Sequence, residues 1–188
     1  MKRPYLIGKA AFSLDGYMSR PAQDGPWLTS ETARADANRL RTEVDAVMVG
    51  ANTARIDNPQ LTVREVEVAI QPYRLVLTQS GNVPADLNLL TDSFSDRSRI
   101  LSPKNWNDLW QQCQELGIRR ILVEGGGNLL NQFASDQLID ESVIYYAPFN
   151  LENKDLVRAD HFRKLELINP SSTAVGPDLK IRGLVHKL

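Results

Sequence analysis

A single cysteine, Cys113, in 188 residues excludes any disulfide within the chain and fits a reducing compartment. Histidine is almost as scarce. His161 and His186 stand near the C-terminal end without a second ligand at metal spacing, so no zinc or iron site is expected. An excess of charge of one sign is also missing: 22 Lys and Arg face 23 Asp and Glu, a net charge of -1. Such a chain has no overall field to hold nucleic acid or an anionic membrane. Long apolar runs are absent too, and no stretch approaches the roughly 20 residues of a membrane-spanning helix. The start, "MKRPYLIGKAAF", is interrupted by Lys9 and reads as a first strand more than as a signal peptide. A cytoplasmic location is expected, with no nucleic-acid or membrane partner. Any anion binding would come from a few placed arginines and backbone amides.

Hydrophobic residues make up 42% and charged residues 24%, enough apolar surface for one core, so residues 1–188 are expected to form a single domain. Tyr5 to Ala11 reads as a buried strand, followed by the loop "FSLDGYMSRPAQDGPW". A helix begins after Thr29 or Ser30, either a good N-cap. Ala33, Ala37 and Leu40 form its apolar stripe, and Arg34, Asn38 and Arg41 share another face. Strands are expected at 45–50, 73–78 and near 99–101, and a short helical turn at 51–57 stops at Asn58-Pro59. Residues 79–98 are polar and without period. The clearest helix carries Trp106, Leu109, Trp110, Cys113 and Leu116 on one side and closes at Gly117. Strands follow at 119–123, 140–149, 162–169 and 179–188. This order predicts an α/β fold whose mixed, mostly parallel sheet is flanked by helices, with an antiparallel addition at the end.

The stretch "VEGGGNLLNQF" (123–133) places an acid and three glycines between a buried strand and a helix. Glycines there let a phosphate approach the unpaired N–H groups and positive dipole end of a helix. They equally permit a tight strand-to-helix turn. The spacing is not G-x-G-x-x-G, and no acidic residue ends a strand about 20 residues on, which disfavours a standard Rossmann dehydrogenase. Glu124 stands at the carboxyl end of a strand, where open α/β sheets bind ligands; it either accepts N–H groups of a heterocycle or caps the helix start. Arg41 and Arg64 carry the planar fork that suits phosphate, or are simply solvated. Thr53 and Asp57, at i and i+4 after Gly50, either hold ribose hydroxyls or cap and close a short helix. Trp27 either covers a flat ring or anchors its loop, and "SLDG" (13–16) reads as an Asx turn with Gly16 at positive φ.

In order along the chain, "AAFSLDGYMSR", "WLTSETARADANRLR", "DAVMVGANTARIDNPQLTVR" and "ILVEGGGNLLNQFASDQLIDESVIYYAP" resemble the reductase domain of riboflavin biosynthesis, in its stand-alone form. The resemblance covers most of residues 5–149, and its specific block is residues 50–64. It implies a dihydrofolate-reductase-like fold. It also implies NADPH-dependent reduction of a ribosylamino-pyrimidine 5′-phosphate to the ribitylamino form. By the same resemblance Ala11 and Trp27 border the NADPH, with Thr53 and Asp57 on its nicotinamide side. The glycine turn, Gly125, Gly126 and Gly127, leads into Asn128, Leu129, Leu130, Asn131 and Gln132, which receive its phosphates. The strand end at Thr78-Gln79-Ser80 approaches the adenosine 2′-phosphate. Residues 78–82 supply no Lys or Arg for that group, leaving Arg74 and the helix-borne arginines as candidates. Arg41 and Arg64 would hold the ribose 5-phosphate, Leu61 would line that pocket, and Glu124 would read the pyrimidine. Asp57, Glu124 and a bound water are the candidate proton-transfer groups. Relatives often form a homodimer through the sheet's end strands, and the run Val143, Ile144, Tyr145, Tyr146 is either core or interface. Gly25 is a departure, since many relatives carry a substrate-touching serine there. The sequence also shows no deaminase domain. An NADPH reductase of another small heterocycle or carbonyl is one alternative function, and a non-catalytic nucleotide- or pterin-binding module is another.

Overall fold

The computed structural model describes residues 2–25, 27–152 and 156–187, which fall into two compact units: Met1–Leu6 with Asn38–Glu124, and Ile7–Ala37 with Gly125–Leu188.

In the first unit β2 (Ala46–Gly50) lies between β3 (Tyr73–Leu77) and β5 (Arg120–Glu124), and β4 (Ser98–Leu101) flanks β3. All these pairings are parallel. Parallel strands are covered on both faces, which is why they read as unbroken apolar runs. Val47, Val49 and Val76 pack with Ala51 and Ala54 of α2 (Ala51–Asp57), with Leu61, with Leu87 and with Leu89 of α3 (Asn88–Thr91). That short α3 lies in the polar stretch where no period was legible. The α4 helix (Trp106–Glu115) is the expected one: Asn105 Oδ1 accepts from Asp108 N at its start. It closes with Gly117 at φ 72 while Ile118 N donates to Cys113 O. Cys113 is buried there, and burial pushes its thiol up to about 12, an inert thiol.

The second unit contains most of β1 (Tyr5–Ser13), parallel to β6 (Glu141–Ala147). β8 (Asp178–Val185) runs antiparallel to β6, and β7 (Leu167–Val175) antiparallel to β8. The fold class is α/β with mainly parallel pairing and an antiparallel end, as expected. Ser30 caps α1 (Glu31–Arg39), its Oγ accepting from Ala33 N. The strand expected at 162–169 is displaced. Residues 160–163 form α6 (Asp160–Arg163), and β7 continues through Pro170 to Val175. Asn169 at φ 47 and a register shift between Ile168 and Ser171 form the bulge that lets a proline sit in that strand. Val143, Ile144 and Tyr145 are buried core residues, and Tyr146 is half-buried. No described helix is long and apolar enough to cross a membrane. No cluster of three or more metal-ligating side chains occurs among the described residues.

Candidate functional site

The parallel strands of the first unit finish abreast: Gly50 pairs with Leu77, and Met48 with Val123 just before Glu124. The carboxyl ends of such strands are where an α/β sheet offers backbone and side chains to a ligand. Glu124 is met there by Arg41, 83 positions away in sequence. Arg41 Nε donates to Glu124 Oε1 at 2.7 Å and Nη2 to Oε2 at 3.0 Å, a fork-on-carboxylate pair. Its Nη1 donates to Thr62 O at 2.7 Å. Burial by itself would lower the Arg41 guanidinium, but the charge and hydrogen bonds of Glu124 outweigh it and hold it above its ordinary value. The helix face read in the sequence as Arg34, Asn38 and Arg41 thus divides. Asn38 and Arg41 turn to Thr62, whereas in the second unit Arg34 donates to Thr29 O and lies over the Trp27 ring.

Residues 58–64 leave α2 as an irregular segment. Asn58 closes the helix in the left-handed region at φ 40, and Leu61 is left-handed as well, at φ 57. Side-chain amides and guanidinium groups hold this segment where a neighbouring strand otherwise would. Asn38 Nδ2 donates to Thr62 O and Asn38 Oδ1 accepts from Arg64 N, at 3.1 and 2.7 Å. Gln71 grips Val63 through both its N–H and its carbonyl. Arg74 Nη1 donates to Gln60 O. Leu61 itself is buried in the core cluster. The Arg64 side chain is exposed and makes no hydrogen bond or ion pair with the described residues. Asn38 and Gln71 were not singled out as site residues from sequence. The one signal was that Asn38 shares a helix face with Arg41.

Thr53 is half-buried and Asp57 exposed, both on α2. Although Asp57 reaches solvent, partial desolvation raises its carboxyl above the ordinary value. Ser80 is exposed in a loop where its Oγ accepts from Asn82 N, and Arg55 of α2 donates to Asn82 O. Arg74 cannot serve a cofactor phosphate. It is fully buried on β3, forked onto Asp92 at 2.6 and 2.7 Å, and also donates to Leu89 O.

In the second unit Ala11 is half-buried on β1, and Trp27 is 59% exposed, with Arg20 donating to its carbonyl. The glycine turn resolves into three different jobs. Gly125 has φ 110, a conformation that favours glycine. Gly126 is the N-cap of α5 (Gly127–Ser135). A side chain on Gly127 would come within 2.2 Å of the Arg158 carbonyl, so protein packing by itself requires a glycine there. Asn128 is exposed, Leu129 and Leu130 are buried, and Asn131 Oδ1 accepts from His161 N and Phe162 N. Asp15 also departs from expectation. Rather than closing a local Asx turn, its carboxylate accepts from Leu151 N and Glu152 N. Burial would raise that carboxyl, but these bonds and the Ser13 hydroxyl hold it below its ordinary value. Gly16 does take positive φ, at 91.

The family model for the RibD C-terminal domain matches residues 4–181. The riboflavin biosynthesis protein RibD of Bacillus amyloliquefaciens is 30% identical, the alignment covering 96% of this chain and 57% of that protein. A 2,5-diamino-6-ribosylamino-4(3H)-pyrimidinone 5′-phosphate reductase of Archaeoglobus fulgidus is also 30% identical, with 81% of this chain and 84% of the relative covered. Among solved structures, Acinetobacter baumannii RibD superposes with a TM-score of 0.83 at 25% identity, covering 98% of this chain and 59% of that one. The chain spans about half the length of the curated RibD proteins it matches.

Proposed function

This chain belongs to the RibD C-terminal domain family, and we propose that it is an NADPH-dependent oxidoreductase of riboflavin biosynthesis. It would reduce a ribosylamino-pyrimidine 5′-phosphate to the ribitylamino compound. The match over residues 4–181 supports reading the whole chain as one reductase domain. The observation that carries the proposal is the Arg41–Glu124 pair at the strand ends, tied through Thr62 and Asn38 to the main chain of an exposed Arg64.

Glu124, fixed in direction by the Arg41 fork, accepts the N–H groups of the pyrimidine. Arg64 takes the 5-phosphate, a remote contact that positions the reacting carbon. Leu61 supplies the apolar wall. Asp57, whose carboxyl is raised, suits the transfer of a proton to the substrate as the C=N bond at C1′ is reduced. NADPH, when bound, supplies the hydride. The chain offers it an exposed indole at Trp27 and the opening turn of α5 at Gly125, Gly126 and Asn128, where amides and helix dipole favour phosphate. Ala11, Thr53 and Ser80 keep the cofactor roles that the family resemblance gives them.

The test is NADPH oxidation with the deaminated and undeaminated pyrimidine intermediates offered side by side, NADH in parallel. Turnover of one of them, dependent on its 5′-phosphate, is expected. No turnover of either, with turnover of a phosphate-free carbonyl, selects a reductase of another small heterocycle or carbonyl. Gly25 motivates that second reading: the substrate-touching hydroxyl that many relatives carry there is absent, and at φ 89 a side chain would be strained although nothing lies within 4 Å. We also propose a cytoplasmic homodimer. The exposed apolar side chains Ile168 on β7 and Leu179 and Leu184 on β8 support pairing through this ribbon, and sedimentation of the chain at twice its monomer mass is expected.

A further inference from the structure

We infer that Asn38 is a positioning residue that sets where Arg64 presents its guanidinium; the inference rests on the reading that Arg64 takes a sugar phosphate. Asn38 is 5% exposed and uses both ends of its carboxamide on one short segment. It donates to Thr62 O and accepts from Arg64 N, reproducing the paired exchange of a β-ladder rung with a side chain. The segment needs such a holder, because Leu61 just before it lies in the left-handed region, which is unfavourable for a branched apolar residue. The Thr62 carbonyl is shared with Arg41 Nη1. One peptide group therefore carries two bonds, from the residue that orients Glu124 and from the residue that holds Arg64. Asn38 is buried and the Arg64 side chain is exposed. Asn38 thus acts on phosphate through the main chain of Arg64.

The experiment is titration calorimetry of ribose 5-phosphate and of ribose against the full chain. Wild type, Arg64→Ala, Asn38→Ala and the double variant are compared. The expected result is that ribose 5-phosphate binds the wild type more tightly than ribose. Each single variant loses about tenfold for ribose 5-phosphate and nothing for ribose, and the double variant is no weaker than Arg64→Ala alone. A merely structural Asn38 would weaken both sugars alike, or add its cost to that of Arg64→Ala. Either result, or unchanged ribose 5-phosphate affinity in Asn38→Ala, overturns the inference while leaving the phosphate reading intact. A wild type that holds ribose 5-phosphate no better than ribose overturns both. If Asn38→Ala does not fold, Asn38→Leu fills a similar volume without either hydrogen bond, and wild-type affinity in that variant is equally fatal.

Discussion

Two arginines of the first unit are forked onto carboxylates in nearly the same way, but they lie in different places. Arg74 has no exposed side-chain surface. Its partner Asp92, the carbonyls of Gln60 and Leu89, and the Ser98 hydroxyl that also donates to Leu89 O form a closed internal brace between β3, α3 and the 58–64 segment. Arg41 and Glu124 show 10% and 12% of their side-chain surface, and they stand at the carboxyl ends of the parallel strands. The pair chemistry is the same; the position along the strand differs. A guanidinium early in β3 is enclosed by the helices and loops that cover the sheet, whereas Arg41 lies at the strand ends, where the proposed function puts the substrate. A bidentate pair therefore does not mark a site without its place in the sheet.

Removing one partner of each pair should separate the roles. Asp92→Ala leaves a buried guanidinium uncompensated and is expected to cost about 3–5 kcal/mol of stability, read by urea denaturation, with the KM of the folded fraction unchanged. Arg41→Ala is expected to lower kcat/KM by about 100-fold, the scale of losing hydrogen bonds to a charged group. Its loss of stability should be smaller, because Glu124 at the end of β5 can take water instead. Equal destabilisation by both variants, with no kinetic difference between them, would erase the distinction.

Acid sharpens it further. Hydrogen bonds from Arg74 hold the Asp92 carboxyl below its ordinary value against a smaller opposing effect of burial. A lowered carboxylate stabilises the fold above its unfolded-state value, and that stabilisation is lost as pH falls through the depressed folded value. The stability gap between wild type and Asp92→Ala should therefore narrow in acid below the normal carboxylate range, as followed by denaturation at stepped pH. The smallest effect has the opposite sign. Desolvation raises Asp57, so its charge weakens the fold above the raised value and has no effect below the ordinary one. Asp57→Asn should raise Tm slightly at pH 7, with the gain vanishing in acid, while the proposed proton transfer is lost.

The 58–64 segment shows where sequence reading stops. The block "DNPQLTVR" was recognisable as distinctive, and its break after α2 followed from Asn-Pro. Nothing local says that Leu61 turns left-handed, that Gln71 clasps Val63, or that Asn38 spans Thr62 and Arg64. The α3 turn was missed for a related reason. It is four residues long, too short for a period, and is held by its contacts with Arg74 and Asn58.

The apolar runs, the 3.6-residue stripes and the glycine and proline stops determined the strands, most helices and the α/β class, because burial on both faces or on one face leaves a repeat that can be counted. The tertiary structure alone decided which charges meet. Arg41 finds Glu124 across 83 positions, Arg74 is enclosed with Asp92, and the Arg158 carbonyl claims the space beside Gly127. Such pairings depend on how distant segments are brought together, and a lone arginine or glycine carries no periodicity by which to foretell its neighbour.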